Sequence, residues 1–101
     1  MQKVSDAMKE NKKDEIMERS KHFYRERDQL VKLIEECGEA ITAISKLMLN
    51  VGSWDNAMEE IADVSVMVQQ IKQYGPNQDV IEDIEYRKLL RLEERMNSVQ
   101  S

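Results

Sequence analysis

Between residues 28 and 49 apolar side chains return at intervals of three and four: Leu30, Leu33, Ile34, Cys37, Ile41, Ile44 and Met48. That spacing is one face of an α-helix, and Gly52 fits a stop beyond its end. Ser53 then supplies an N-cap and Asp55 a first-turn acid for a second helix, whose buried stripe is expected to be Met58, Ile61, Val64, Val68 and Ile71. The sequence Gly75-Pro76-Asn77 ends it. Asn77 is placed to cap a further helix running to about residue 97, in which Ile81, Ile84, Leu92 and Met96 make a thinner apolar edge. Upstream, Ile16, Phe23 and Tyr24 are sparse anchors in a polar stretch, which predicts a helix over about 14–27 and frayed residues 1–12. No breaker separates that helix from the one starting near residue 28, so the pattern leaves open whether the two are continuous.

With only three Gly and one Pro among 101 residues, the chain is expected to be all-α. It divides into a polar N-terminal segment, 1–27, and a helical domain, 28–97. A chain of this length buries a small share of its surface, and stripes this long call for a partner copy, so a helical bundle completed by oligomerisation is expected. The formal net charge of −5 argues against a nucleic-acid polymer as partner, because a duplex surface needs clustered Lys and Arg. Cys37 is the single cysteine, so there is no internal disulfide, and within an apolar stripe it is expected to be a small buried thiol. No apolar run approaches the roughly 20 residues of a membrane span, and the first 20 residues lack a signal-peptide core; a soluble, cytoplasmic protein without a membrane partner is expected.

The acids change this picture. Glu36-x-x-Glu39 lies in the first strongly amphipathic helix and Glu60-x-x-Asp63 in the second. Side chains three apart project from one helix face, one turn apart. Both pairs fall on the same-handed shoulder of their apolar stripes. If the two stripes pack antiparallel across the short Asn50–Trp54 connection, four carboxylates converge at the lip of the core. Carboxylates at close range repel and hold protons unless a cation sits among them. All-oxygen ligands suit a hard ion, with Mg²⁺ the usual partner of carboxylates and substrate phosphates and Mn²⁺ a substitute. A solvated acidic face is the plain alternative. A di-iron centre needs two Glu-x-x-His motifs, and His22 is the single histidine; zinc lacks its nitrogen and sulfur ligands.

The segments LIEECGEAITAI and MEEIADVSVMVQQI, residues 33–44 and 58–71, resemble the Glu-x-x-Glu and Glu-x-x-Asp signature of the MazG-like all-α nucleoside triphosphate pyrophosphohydrolases, and KLLRLEERM, residues 88–96, is similar to the basic tail of short phage and bacterial members. The resemblance covers about residues 28–97. It implies Mg²⁺-dependent cleavage of a nucleoside triphosphate (NTP or dNTP) to monophosphate and pyrophosphate, in a homodimer or homotetramer of four-helix-bundle type. By position it gives Glu36, Glu39, Glu60 and Asp63 the metal-ligand places, with Glu36 or Glu39 doubling as general base, and it makes Glu35 structural. A phosphoribosyl-ATP pyrophosphohydrolase-like enzyme is the alternative within enzymes. A non-catalytic helical interaction protein with an acidic docking face is the alternative outside them.

Lys88, Arg91 and Arg95 stand at i, i+3 and i+7 and form a basic stripe on the last helix, suited to the charge of a triphosphate. Local pairing of Arg87 with Asp83 and of Lys88 with Glu85 is the competing use of that helix's charge. Trp54 either stacks on a nucleotide base or anchors a core or dimer contact. The seven methionines read as adaptable core or subunit packing.

Overall fold

A computed structural model describes residues 5–100, which form four α-helices and no strand: α1 Asp6–Phe23, α2 Glu26–Met48, α3 Trp54–Ile71 and α4 Asn77–Gln100. α1 starts eight residues earlier than the apolar pattern predicts. Ser5 is an extended N-cap whose hydroxyl accepts from Met8 N–H at 3.2 Å, and Asp6 faces the helix dipole, so capping carries a turn that has no apolar anchor. Residues 6–12 are therefore helical rather than frayed, and residues 1–4 lie outside those described.

α1 and α2 are separate helices. Tyr24 and Arg25 are both extended, each with ψ 147°. The Tyr74 hydroxyl, fifty residues away, donates to the Tyr24 carbonyl at 2.7 Å and fixes the break. A tertiary contact, not a local breaker, therefore splits the polar segment from α2.

The end of α2 is a Schellman closure. Asn50 takes the left-handed conformation, φ 62°, while Asn50 N–H donates to Leu47 O and Val51 N–H to Lys46 O. The stop is thus at Asn50 rather than Gly52. Gly52 is needed for a different reason, since a Cβ there would meet Lys46 Cβ at 2.9 Å. Ser53 caps α3 as expected, its Oγ accepting from Asn56 N–H.

α2 and α3 form an antiparallel hairpin in which Gln29 meets Gln70 and Glu36 meets Glu60 and Asp63. The face that α2 buries is not the one its apolar stripe predicts, while α3 keeps Ile71, Val64 and Val68 of its predicted stripe in the contact. α2 buries Gln29, Glu36, Ala40 and Ala43, and α3 buries Ala57, Met67 and Ile71, with Val64 and Val68 half-buried. At about 100° per residue, the α2 contact face is turned roughly a third of a circle from the line of Leu30, Ile34, Ile41 and Met48. Ile34, Ile41 and Met48 are 72%, 66% and 76% exposed, Met58 and Ile61 are exposed too, and Cys37 is half-buried. Small alanines let the backbones approach closely, and the bulky residues look outward.

α1 lies against α3 through Met17, and α4 leaves the hairpin after its first turns. Asn77 does not cap α4 as an acceptor: its Nδ2 donates to Glu26 Oε1 and to Ile71 O, tying the start of α2 to the end of α3, while the first helical bond of α4 runs from Val80 N–H to Pro76 O. Lys72 Nζ holds Glu85 at 3.1 Å. Beyond Ile81 every described residue of α4 is exposed, including Ile84, Leu89, Leu92 and Met96. The radius of gyration, 17.1 Å, exceeds the about 13 Å of a compact chain of this length. The accessible surface of 8522 Å² likewise exceeds the about 5900 Å² expected of a folded monomer of 11.9 kDa.

Candidate metal centre

Because the hairpin's contact face is offset from the apolar stripe, the acids on the shoulder of α2 turn inward. Glu36 is a buried residue, 8% exposed, in the middle of α2, and it faces the acidic turn of α3. Carboxylate oxygens of Glu36, Glu60 and Asp63 lie within 4.8 Å of one another. Three acids so close repel unless protons or a cation stand between them.

One oxygen of Glu36 has a partner: Lys32 Nζ, one turn earlier, lies 3.3 Å from Oε1 and 3.2 Å from Glu35 Oε2. The other oxygen, Oε2, is buried and receives no hydrogen bond, and Glu60 Oε2 is in the same condition. Buried polar atoms are nearly always satisfied, so two orphaned carboxylate oxygens facing one cluster fit a hard cation with oxygen ligands. The Glu60 carboxyl is held above the ordinary glutamate range, first by burial, then by the charges of Glu39 and Asp63, by a side-chain hydrogen bond with Glu39, and by the charge of Glu36.

The four sequence-predicted ligands are therefore neighbours, with a difference of rank. Glu36, Glu60 and Asp63 make the tight trio. Glu39 is coupled to Glu60 and lines an open groove of about 600 Å³ together with Glu35, Thr42, Lys46, Asn56 and Glu60. Glu35 points to Lys32, in keeping with a structural role.

Sequence reasoning passed over Lys46, Asn56 and Lys32. Lys46 stands seven residues after Glu39, hence two turns along one face, and Lys32 stands four before Glu36. That periodic signal was present, but a single lysine between apolar residues reads as a solvated side chain. On the other side of the trio a second cavity of about 360 Å³ is lined by Tyr24, Asp28, Gln29, Lys32, Met67 and Gln70.

Lys88, Arg91 and Arg95 are exposed on α4 and have no ion-pair partner among the described residues. Of the competing local pairs, Arg87 does bind Asp83, whereas Glu85 goes to Lys72 and leaves Lys88 unengaged. Within one chain the basic stripe is carried on the helix that departs from the hairpin, not on the hairpin that holds the acids. Trp54 is 67% exposed in the first turn of α3, so it is not a core anchor of its own chain. No helix among the described residues is long and apolar enough to cross a membrane. Comparison with models of known protein families, with characterised proteins and with solved structures gave no match to this chain.

Proposed function

We propose that the chain is a Mg²⁺-dependent nucleotide pyrophosphohydrolase of MazG-like type, cleaving a nucleoside triphosphate to the monophosphate and pyrophosphate. The observation that carries this reading is the convergence of Glu36, Glu60 and Asp63 with two buried, unpartnered carboxylate oxygens. Oxygen donors alone select a hard ion, and they sit beside a groove wide enough for a phosphate chain and furnished with one cation, Lys46. The ion supplies charge neutralisation on phosphate oxygens and a more acidic water. Glu36, Glu60 and Asp63 hold it. Glu39, at the edge of the trio and open to the groove, is placed to take a proton from an attacking water.

Oligomerisation completes this reading. The excess surface, about 2600 Å², matches the upper end of what one subunit of an obligate homodimer buries, half of a total of about 5,000 Å². Its apolar part lies on the outer face of α2, on Met58 and Ile61 of α3, and along α4. A second copy covering those faces also brings its own α4 toward the hairpin, the route by which Lys88, Arg91 and Arg95 reach a triphosphate.

The test has two arms. Calorimetric titration with MgCl₂ and MnCl₂ should give binding that Asp63→Asn loses and Glu39→Gln keeps, with helical circular dichroism unchanged. A screen of common ribo- and deoxyribonucleotides should give pyrophosphate release that both variants lose. Parent-like hydrolysis by both variants would sink the metal-centre reading, and no release with any nucleotide would favour a non-catalytic acidic docking protein.

A further inference from the structure

Gln29 is 4% exposed, the most buried polar residue described, and it stands two turns before Glu36 on the same face of α2. Its Oε1 accepts from Gln70 Nε2 at 3.4 Å, and its Nε2 is buried with no acceptor. Because Gln70 Nε2 is the donor of this pair, the unmatched atom of Gln29 is itself a donor, its Nε2. An orphaned carboxamide costs stability that an apolar side chain packed at the same depth would not. Gln29 and Gln70 form the polar wall of the 360 Å³ cavity; Met67 supplies an apolar surface, Tyr24 an aromatic ring, and Lys32 links the cavity to Glu36.

We infer that this cavity is the nucleobase subsite, with the Gln29 carboxamide donating to a ring carbonyl of the base. The inference rests on the nucleotide reading above and names which end of the substrate goes where. Seven residues of helix separate Gln29 from Glu36 by about 10 Å along the axis, a span that a sugar and its first phosphate bridge. The triphosphate then lies over the acids toward Glu39 and Lys46, and the base turns the other way, toward the break between α1 and α2. A small rotation of the carboxamide brings its free N–H to the cavity. A flat ring with apolar faces and a polar edge matches Met67 and Tyr24 flanking the two amides. A donor without an acceptor selects bases that carry a carbonyl, namely uracil, thymine, cytosine and guanine, over adenine.

The experiment compares Gln29→Met, which keeps length and loses both polar atoms, with the parent. Pyrophosphate release is measured on dUTP, dTTP, dCTP, dGTP and dATP, alongside thermal melting and MgCl₂ titration without nucleotide. The expected result is a parent preference for the carbonyl-bearing bases over dATP, and in the variant a roughly tenfold rise in KM for those bases with little change for dATP. Mg²⁺ affinity is unchanged, and Tm rises because an unmet donor is gone. A merely structural Gln29 would move Tm without moving base preference, and that outcome overturns the subsite while leaving the pyrophosphohydrolase standing. Loss of KM on all five nucleotides equally also overturns it. Absence of hydrolysis in the parent removes both readings together, and retained Mg²⁺ binding in that case would show that the acids hold metal for another purpose.

Discussion

Lys32 holds one oxygen of Glu36 at 3.3 Å and leaves the other buried without a donor. The ammonium also serves Glu35, and both acids raise the lysine's pKa, Glu35 first. Half the charge of a buried carboxylate is thus compensated from within the helix, and the half facing Glu60 and Asp63 is not. A site arranged this way is poised to accept one more cation without collapsing when it is absent.

Replacing Lys32 by Met should separate those two effects. The pair is open to water on the lysine side, so its loss should leave the stability of the metal-free protein nearly unchanged. Removing a cation beside the trio should tighten Mg²⁺ by a few-fold, since like charges oppose binding. Calorimetry on parent and variant, without nucleotide, reads both. Weaker Mg²⁺ binding in the variant would mean that Lys32 orients Glu36 more than it repels the ion.

Much of the fold was legible because capping and periodicity are local. Ser53 announces α3, and Gly75 with φ +50° makes the turn that ends it. The break at Tyr24 was not legible, because the group that enforces it is Tyr74, fifty positions away. The contact face was misread for a related reason. Periodicity reports where apolar residues lie, and it cannot tell an intrachain face from one reserved for a second chain. In α2 the alanines meet α3 and the isoleucines face outward. The same offset explains the acids: Glu36 sits on the shoulder of the apolar stripe but near the centre of the face that α3 covers. The spacing of the acids pointed to the cluster that Glu36, Glu60 and Asp63 form, while nothing in the spacing of Gln29 and Lys46 beyond a seven-residue interval set them beside it.

The outward isoleucines give a direct check on assembly. The parent should sediment as a dimer or tetramer at micromolar concentration, because a monomer would leave an apolar surface larger than free chains ordinarily tolerate. Ile34→Glu and Ile41→Glu place charge at two of the most exposed positions of that surface, 72% and 66%. Both should shift the protein to monomer without loss of α2–α3 packing, since neither side chain touches α3's buried face. A compact monomeric parent would contradict the expectation, and so would variants that remain assembled.

Glu60 sets a pH dependence. Its carboxyl is raised above the ordinary 4.5, chiefly by burial and next by Glu39 and Asp63, so between that value and its own the folded protein retains a proton that the unfolded chain has released. Stability falls with rising pH wherever the folded state binds more protons, so this group favours folding most at low pH and less as pH climbs through its raised pKa. Other carboxylates run the opposite way. Glu18, held down mainly by its hydrogen bond to Lys21, is one of them, so the total curve mixes signs. The difference between parent and Glu60→Gln isolates the effect: in metal-free buffer the variant should gain Tm over the parent as pH rises above about 4.5, and saturating MgCl₂ should shrink that gain. A difference that stays flat across the acid range would show that the Glu60 proton is not held by the fold.

The basic stripe provides the prediction that separates catalysis from docking. Lys88, Arg91 and Arg95 ride on α4, whose described residues beyond Ile81 are all exposed, so their reach to the acids depends on a second copy. If Lys88 and Arg91 bind the triphosphate, Lys88→Ala or Arg91→Ala should mainly raise KM, because a contact made equally to substrate and transition state is uniform binding; if one meets charge that develops as the bond breaks, kcat should fall instead. Loss of a charge-assisted contact of about 1.5–3 kcal/mol corresponds to roughly ten- to a hundredfold in kcat/KM. Mg²⁺ affinity without nucleotide should hold steady, which distinguishes these residues from Lys32. If the contact crosses subunits, mixing Lys88→Ala with an Asp63→Asn variant should restore some activity: in a mixed dimer one site pairs intact acids with an intact stripe. Pyrophosphate release from the mixture above that of either variant alone is the expected result. Its absence, with mixed dimers shown to form, would place the stripe and the acids on the same chain or remove the stripe from the site.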